Sequence, residues 1–232
     1  MPKSKGRAGR NIRLLAFSRR YKAVYAFVGA GFIVYMPFAL AKLIEGFRSL
    51  FTDTNPELTE SPAMPVVVYG VAIALAIYLV INGIRLWKGA DRADQGAKGE
   101  EDVANELREL AASGWQIEYG QRLGKGLGDI DIICVSPRGK TYAIDVKSHR
   151  CSVVTDREKL YRRRGKQQHP FEKDFLSQVM KQALQVKKKK GAKFVTPIVV
   201  FSNARVAISS NKVKHVHVVE KSQLAALLRS LG

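Results

Sequence analysis

Cysteine is almost missing from this sequence, with two in 232 residues. Cys134 and Cys151 have no metal-type spacing, and two thiols make no disulfide framework, so a stapled secreted scaffold and a thiolate metal site are both set aside. Cys134 falls on the apolar side of a strand-like run and reads as an inert buried thiol. Histidine is scarce as well: His149, His169, His215 and His217 show no ligand-like spacing beyond "HVH", which reads as a pair of exposed strand positions. Acids are few, 20 Asp+Glu against 39 Lys+Arg, for a formal charge of +19. The imbalance is uneven, since residues 1–22 carry eight bases and no acid, while 91–232 alone are +11. A basic domain of this kind prefers polyanions, either nucleic acid or an anionic membrane surface.

Charge of either sign is absent from two long runs, Ala23 to Ala41 and Ser61 to Ile84. A bilayer core of about 30 Å needs roughly 20 apolar residues as helix, and both runs meet that length. Interface aromatics such as Tyr21, Tyr25 and Trp87 flank them. A pair of buried core helices is the plainer alternative, but two such runs in tandem favour a transmembrane hairpin, about 23–44 and 63–86 within residues 23–88. A signal peptide suggested by "ALA" at 39–41 is disfavoured, because a signal's apolar region spans about 7–15 residues. The basic tail 1–22 is expected in the cytoplasm, the linker "EGFRSLFTDTNPELTE" with its single base Arg48 outside, and Arg85, Lys88 and Arg92 inside again. This makes a multi-pass protein of the cell (inner) membrane with both termini cytoplasmic and a domain at 95–232.

After a short polar connector, Gly89 to Gly96, "GEEDVANELRELAASGW" reads as an amphipathic helix with Val103, Leu107, Leu110 and Ala111 on one stripe. Glu100 lies on the edge of that stripe, where an acid is costly unless partnered; a favourable charge near a helix start is the bland account. "WQIEYGQRL" reads as a strand, followed by glycine-rich "GKGLG" and then by "GDIDIICVSPRGKTYAIDVKSH", a hairpin about the turn signals Pro137 and Gly139. Period-two alternation puts Asp129 and Asp131 on one face with Ile130, Ile132 and Cys134 opposite, and Asp145 with Lys147 opposite Ile144 and Val146. A half-buried sheet with a solvated charged face explains the hairpin alone. Residues 150–173 are polar, basic and without periodicity. A helix stopped by Gly191 follows, then the buried strand "FVTPIVVFSN", the shorter strand "KHVHVVE" and a terminal helix.

Helix, three-strand meander, helix, strand is the core order of restriction-endonuclease-like proteins, an α/β fold with a mixed sheet. "DIIC…AIDVKS" resembles the PD-(D/E)XK nuclease signature, and within that group the sequence is most similar to the nuclease-related domain, NERD. The likeness runs through Gly99, Glu100 and Val103, then Asp129 to Asp131, then Asp145 to Lys147, with Gln178 as the helical glutamine, and it covers about residues 97–220. Members often carry Glu where this chain has Asp145; the superfamily signature allows either acid.

The resemblance implies a Mg²⁺-dependent endonuclease, DNA first, with Mn²⁺ as a substitute metal. It assigns Asp131, Asp145 and the Val146 carbonyl as metal oxygens, with Glu100 completing the shell directly or through water. Lys147 would position the nucleophilic water and balance charge at the phosphate, and Gln178 is carried over as a catalytic residue. Asp129 is expected in a supporting or solvated place. Arg162, Arg163 and Arg164, with Lys166 and Lys181, are candidates for phosphate contact, though a solvated loop or a lipid contact accounts equally for "RRR", and helix-dipole complementarity accounts for Lys187 to Lys190. Expected partners are nucleic acid and the bilayer, with a homodimer left open and no organic cofactor. Two rivals stand beside the enzyme: a non-catalytic nucleic-acid-binding module, and a structural membrane protein whose basic domain lies on anionic lipid. Cysteine labelling of the 46–60 linker should occur from the outside only; labelling from the cytoplasmic side alone would overturn the expected topology.

Overall fold

The computed structural model describes residues 8–49, 66–124 and 129–232. The first seven residues of the basic tail, the linker 50–65 and residues 125–128 of the glycine-rich turn lie outside the described residues. The chain divides into two compact units, Leu14–Ala93 and a second made of Met1–Arg13 with Asp94–Gly232.

In the first unit, α1 (Arg10–Ser49) and α2 (Val66–Glu106) are both long and apolar enough to cross a membrane. Their shared seam is built of small side chains: Ala16, Ala23, Ala26, Ala30, Ala72, Ala76 and Ala90 are buried, while Phe17, Phe32, Ile73, Leu75 and Ile77 face outward. Small residues at a seam let backbones approach, which is how helices associate where lipid offers no hydrophobic drive. At Gly83 an added Cβ would sit 2.7 Å from the Phe27 ring. Arg19 donates to the Gly89 carbonyl at 2.9 Å, and Arg20 pairs with Asp91 at 3.1 Å, which fixes the antiparallel register.

The expected break at Gly89 to Gly96 does not occur, because α2 runs through it as one 41-residue helix. Each interior glycine costs about 1 kcal/mol relative to alanine, but these positions are where the helix packs closely, with Ala90 and Ala97 almost fully buried. The amphipathic helix expected after the connector is the end of α2 followed by the short α3 (Arg108–Ala112). Val103, Leu107 and Leu110 all enter the core as their spacing predicts.

The second unit is a mixed α/β domain. Strands β1 (Gln116–Arg122), β2 (Asp129–Val135) and β3 (Thr141–Lys147) form an antiparallel meander. Next come β4 (Ser152–Asp156), β5 (Lys159–Arg164) and β6 (Gln167–Pro170), then α4 (Phe175–Lys190), β7 (Val195–Phe201), β8 (Arg205–Val206), β9 (Lys212–Val213), β10 (Val216–Glu220) and α5 (Lys221–Leu231). One sheet has the order β1-β2-β3-β7-β10-β9, and a second has β6-β5-β4-β8. β7 pairs in parallel with both β3 and β10, and its unbroken apolar run is packed on both faces, Ile198 and Val200 on one and Val199 and Phe201 on the other. On one face Ile132, Cys134, Ile144, Ile198 and Val200 meet Val103, Leu107 and Leu110, together with Leu224 and Leu228 of α5. On the other face α4 covers Ile130, Ile133, Ala143, Val199 and Phe201 through Phe175, Val179, Ala183 and Val186. Asp174 caps α4 by accepting from the Ser177 amide at 3.0 Å, and Gly191 ends it in the left-handed region at φ 63°.

Two readings of the sequence need correction. Residues 150–173 are not a structureless segment, since they carry three of the four strands of the second sheet, and "RRR" belongs to β5. These strands hold arginine, glutamine and histidine at positions where a half-buried strand would alternate apolar residues, so periodicity gives no signal. Strict alternation along β2 also fails. Ile130 packs with Ile133 and Ala143 on the α4 side, whereas Ile132 and Cys134 face the opposite core. The break falls at Asp131, across from Gly120, whose φ of +59° kinks β1.

Candidate active site

The β2–β3 ladder runs from Val135–Thr141 to Ile132–Ile144 and stops. The next residue on each strand is an aspartate, Asp131 and Asp145. With the backbone pairing ended, the Val146 amide donates to Asp131 Oδ2 at 2.6 Å, so a side chain takes over the role of the partner strand. Asp145 points toward α4 and is 2% exposed. A solvated charged face is therefore ruled out for this hairpin. Lys147 Nζ lies 2.7 Å from Asp145 Oδ2 and forms an ion pair with that buried oxygen. Gln178 on α4 donates from Nε2 to Asp145 Oδ1 at 3.5 Å. The Lys147 ammonium also stands 4.9 Å from the centre of the Phe175 ring, a cation–π arrangement.

Glu100 reaches the same place from α2 and is 8% exposed. It can do so because Gly99 has no side chain: a Cβ there would lie 2.7 Å from Ser202 Oγ and 2.9 Å from Ser148 Cβ. Ser148 follows β3 and Ser202 follows β7, and the Ser202 amide donates to the Lys147 carbonyl at 3.0 Å. The glycine before Glu100 is thus a close-approach position that seats α2 on the strand ends. Gln95, one turn earlier, donates its side-chain amide to the Ser148 carbonyl.

The segment before Leu14 closes over this edge. Gly9 donates its amide to Glu100 Oε2 at 2.9 Å, Asn11 Nδ2 reaches Asp129 Oδ2 at 3.5 Å, and Arg13 forms a fork on Glu101 at 2.7 and 2.6 Å. Gly9 has φ +71°, and a Cβ would come within 2.9 Å of the Ala97 carbonyl oxygen, so only glycine fits.

Burial and crowding raise the acids together. The Asp131 carboxyl is pushed well above its ordinary range, first by desolvation and then by repulsion from Asp145 and Glu100. Glu100 is raised by desolvation, opposed by the Gly9 amide, with Asp145, Asp129 and Lys147 acting more weakly. Asp145 is raised by desolvation against the pull of Lys147. Such a set favours a counter-charge, which Lys147 supplies in part, and the hard carboxylate oxygens of Asp131 and Asp145 fit Mg²⁺ or Mn²⁺. Among the described residues no group of three Asp, Glu, His or Cys is gathered at metal-ligand spacing. A cation here would rest on two carboxylates, with backbone and water oxygens making up its shell, as Mg²⁺ commonly does.

The sequence missed Gln182, which is 1% exposed and donates to the Asp129 carbonyl at 3.1 Å. Its place one turn after Gln178 on the same helix face was the available signal. Asp129 itself is exposed, in line with a supporting place. Arg163, Arg164, Lys166 and Lys181 are exposed and Arg162 is part-buried; Lys181 lies on α4, apart from the β5–β6 hairpin that carries the others.

Residues 95–202 match the family model of NERD, the nuclease-related domain. This chain carries a nuclease-related domain. No curated protein and no solved structure matches the chain. The matched segment of the NERD domain opens at Gln95 and closes at Ser202, the two residues that anchor α2 and β7 to the end of β3.

Two expected outcomes follow from this geometry. Carboxyls raised by folding contribute stability below their unfolded pKa of about 4 and lose it as pH rises through the folded value. In chelator, wild-type protein should therefore lose stability from about pH 4 upward, and Asp131→Asn should flatten that loss and melt higher at pH 8. Parallel melting curves, with the variant lower throughout, would show that Asp131 is not repelled. Gly99→Ala should destabilise the domain by about 1–3 kcal/mol through overpacking, and Ser202→Ala in the same chain should recover part of it in thermal melts.

Proposed function

We propose that the NERD domain is a metal-dependent nuclease that hydrolyses phosphodiester bonds of nucleic acid, DNA first, and that α1 and α2 anchor it to the inner membrane with both termini in the cytoplasm. The observation that carries the reading is the buried Asp145–Lys147 pair beside Asp131 at the fork of β2 and β3, inside the segment that matches the nuclease-related family. A purely structural strand pair gains little from acids buried and crowded until their carboxyls are raised.

Asp131, Asp145 and the Val146 carbonyl would hold the divalent ion, Mg²⁺ or Mn²⁺, which when bound neutralises charge at the phosphate and lowers the pKa of water. Lys147 is 17% exposed at its side chain, enough to meet a phosphate oxygen or hold the attacking water while remaining oriented by Asp145 and the Phe175 face. Gln178 fixes the Asp145 rotamer through Oδ1. Glu100, held by the Gly9 amide and raised by burial, can accept a proton from water on the α2 side. The basic residues of β5 would supply affinity through phosphate-backbone contacts that carry no sequence information. The absence of a gathered three-acid cluster among the described residues supports the second reading, a binding module that holds nucleic acid at the membrane without cutting it.

Purified full-length protein, given single- and double-stranded DNA and RNA with Mg²⁺, Mn²⁺ or chelator, decides between them. Asp131→Ala, Asp145→Ala and Lys147→Ala should each reduce cleavage by at least about 100-fold, the scale of positioned acid–base groups, while the fold is kept. Asp129→Ala should lose much less. Cleavage that persists in chelator or in the Asp145 variant would exclude this mechanism, and binding without cleavage by folded wild-type protein would establish the module.

A further inference from the structure

We infer that Arg162 and Arg164, together with His149, form a phosphate track that leads to Lys147, and that Arg163 of the same basic run does not belong to it. The inference rests on the nucleic-acid reading above. β5 pairs antiparallel with β4, with Val153 opposite Arg162, Val154 opposite Tyr161 and Ser152 opposite Arg163. Val153 is fully buried and, with Leu160, belongs to the apolar cluster that holds Phe175, Leu176 and Phe201. Alternation therefore turns Leu160, Arg162 and Arg164 toward the side of that cluster and turns Arg163 away from it with Tyr161.

The same cluster floors the catalytic lysine. Lys147 Nζ lies over the Phe175 ring, and the His149 ring packs against Phe171 at 5.2 Å and Phe175 at 5.6 Å between centroids. Electrostatics agree with the parity. The His149 imidazole is held below its usual pKa by burial and then by Lys147 and Arg162, with Glu172 opposing, so both cations lie close to it. The Cys151 thiol, raised by burial, is pulled back by Arg162 and Arg164, while Arg163 has no part in it. Neither Arg162 nor Arg164 has an acidic partner among the described residues.

Lys147, His149, Arg162 and Arg164 thus make a row of donors whose inner end is the buried acid pair. Same-face residues along β5 stand about 6.6 Å apart, and guanidinium forks match phosphate oxygens in geometry as well as charge. The row leads inward from exposed Arg164 through half-buried Arg162 and His149 to Lys147, 17% exposed at its side chain. One strand of nucleic acid can follow that path, and a flat anionic bilayer cannot. The partner is therefore a polynucleotide backbone, running from the arginines to the scissile position.

The test is binding by the full chain carrying Asp145→Asn, in phosphatidylcholine nanodiscs with chelator. Anisotropy of labelled single-stranded and duplex oligonucleotides is followed against salt. Arg162→Ala with Arg164→Ala should weaken binding and reduce the slope of log K against log salt by about 1.4 on single strands and about 1.8 on duplex, the values for two lost contacts. Arg163→Ala should leave the slope unchanged, and Arg162→Lys with Arg164→Lys should restore most of it, which separates lost charge from lost fold. An equal effect from Arg163→Ala would overturn the track, as would loss of co-flotation with phosphatidylglycerol vesicles while oligonucleotide binding is kept. Failure of wild-type protein to bind any oligonucleotide overturns it too. The expected slopes in a protein that never cleaves would leave the track standing and remove the proposed reaction.

Discussion

The point where β2 and β3 part governs the rest of the domain. A backbone ladder that simply continued past Ile132–Ile144 would leave no room for carboxylates between the strands. Because it ends there, the Val146 amide is free to be claimed by Asp131, and Asp145 drops under α4. Burying acids this close together is unfavourable on its own, both for lost solvation and for mutual repulsion. Every polar group around the fork answers that cost in part: Lys147 from the same strand, Gln178 from α4, Gly9 from the segment before α1. The compensation is incomplete, so the acids remain raised by burial and by one another.

The helices and sheets around the fork are placed by close approach more than by bulk. Gly99 lets α2 descend onto Ser148 and Ser202, and Glu100 arrives at the acids as a result. Aromatic packing of Phe171, Phe175 and Phe201 covers the other side and supports Lys147 and His149 from below. Polar chemistry is thus held between a glycine contact and an aromatic floor, each of which would tolerate few substitutions.

Much of this was legible in the residues. Val103, Leu107 and Leu110 announced a core stripe, and the acid on its edge, Glu100, was indeed drawn inward. Asp145 and Lys147 were placed on one face by simple alternation, and the helix stop at Gly191 was plain. The failures share a cause, which is that local pattern does not see tertiary context. Three glycines between Lys88 and Glu100 look like a linker until the helix is seen to pack through them. The strands of 152–170 carry too few apolar residues to show a period, with arginines on both faces of β5. Alternation along β2 was broken by a kink in its neighbour at Gly120, which no inspection of β2 alone could reveal. Gln182 and the contacts of Gly9 depend on parts of the chain far apart in sequence.

The parallel pairing of β3 with β7 sets when this centre can exist. About fifty residues, including a whole second sheet and a helix, separate the two strands, and loop-closure entropy makes such non-local pairings late events in folding. During synthesis the two apolar helices emerge first and the meander β1–β3 can form soon after, but Asp145 stays open to water until α4 and β7 have docked. The order of the chain therefore acts as a timer: the apolar segments leave the ribosome before the acidic centre can close, and closure waits for Phe201.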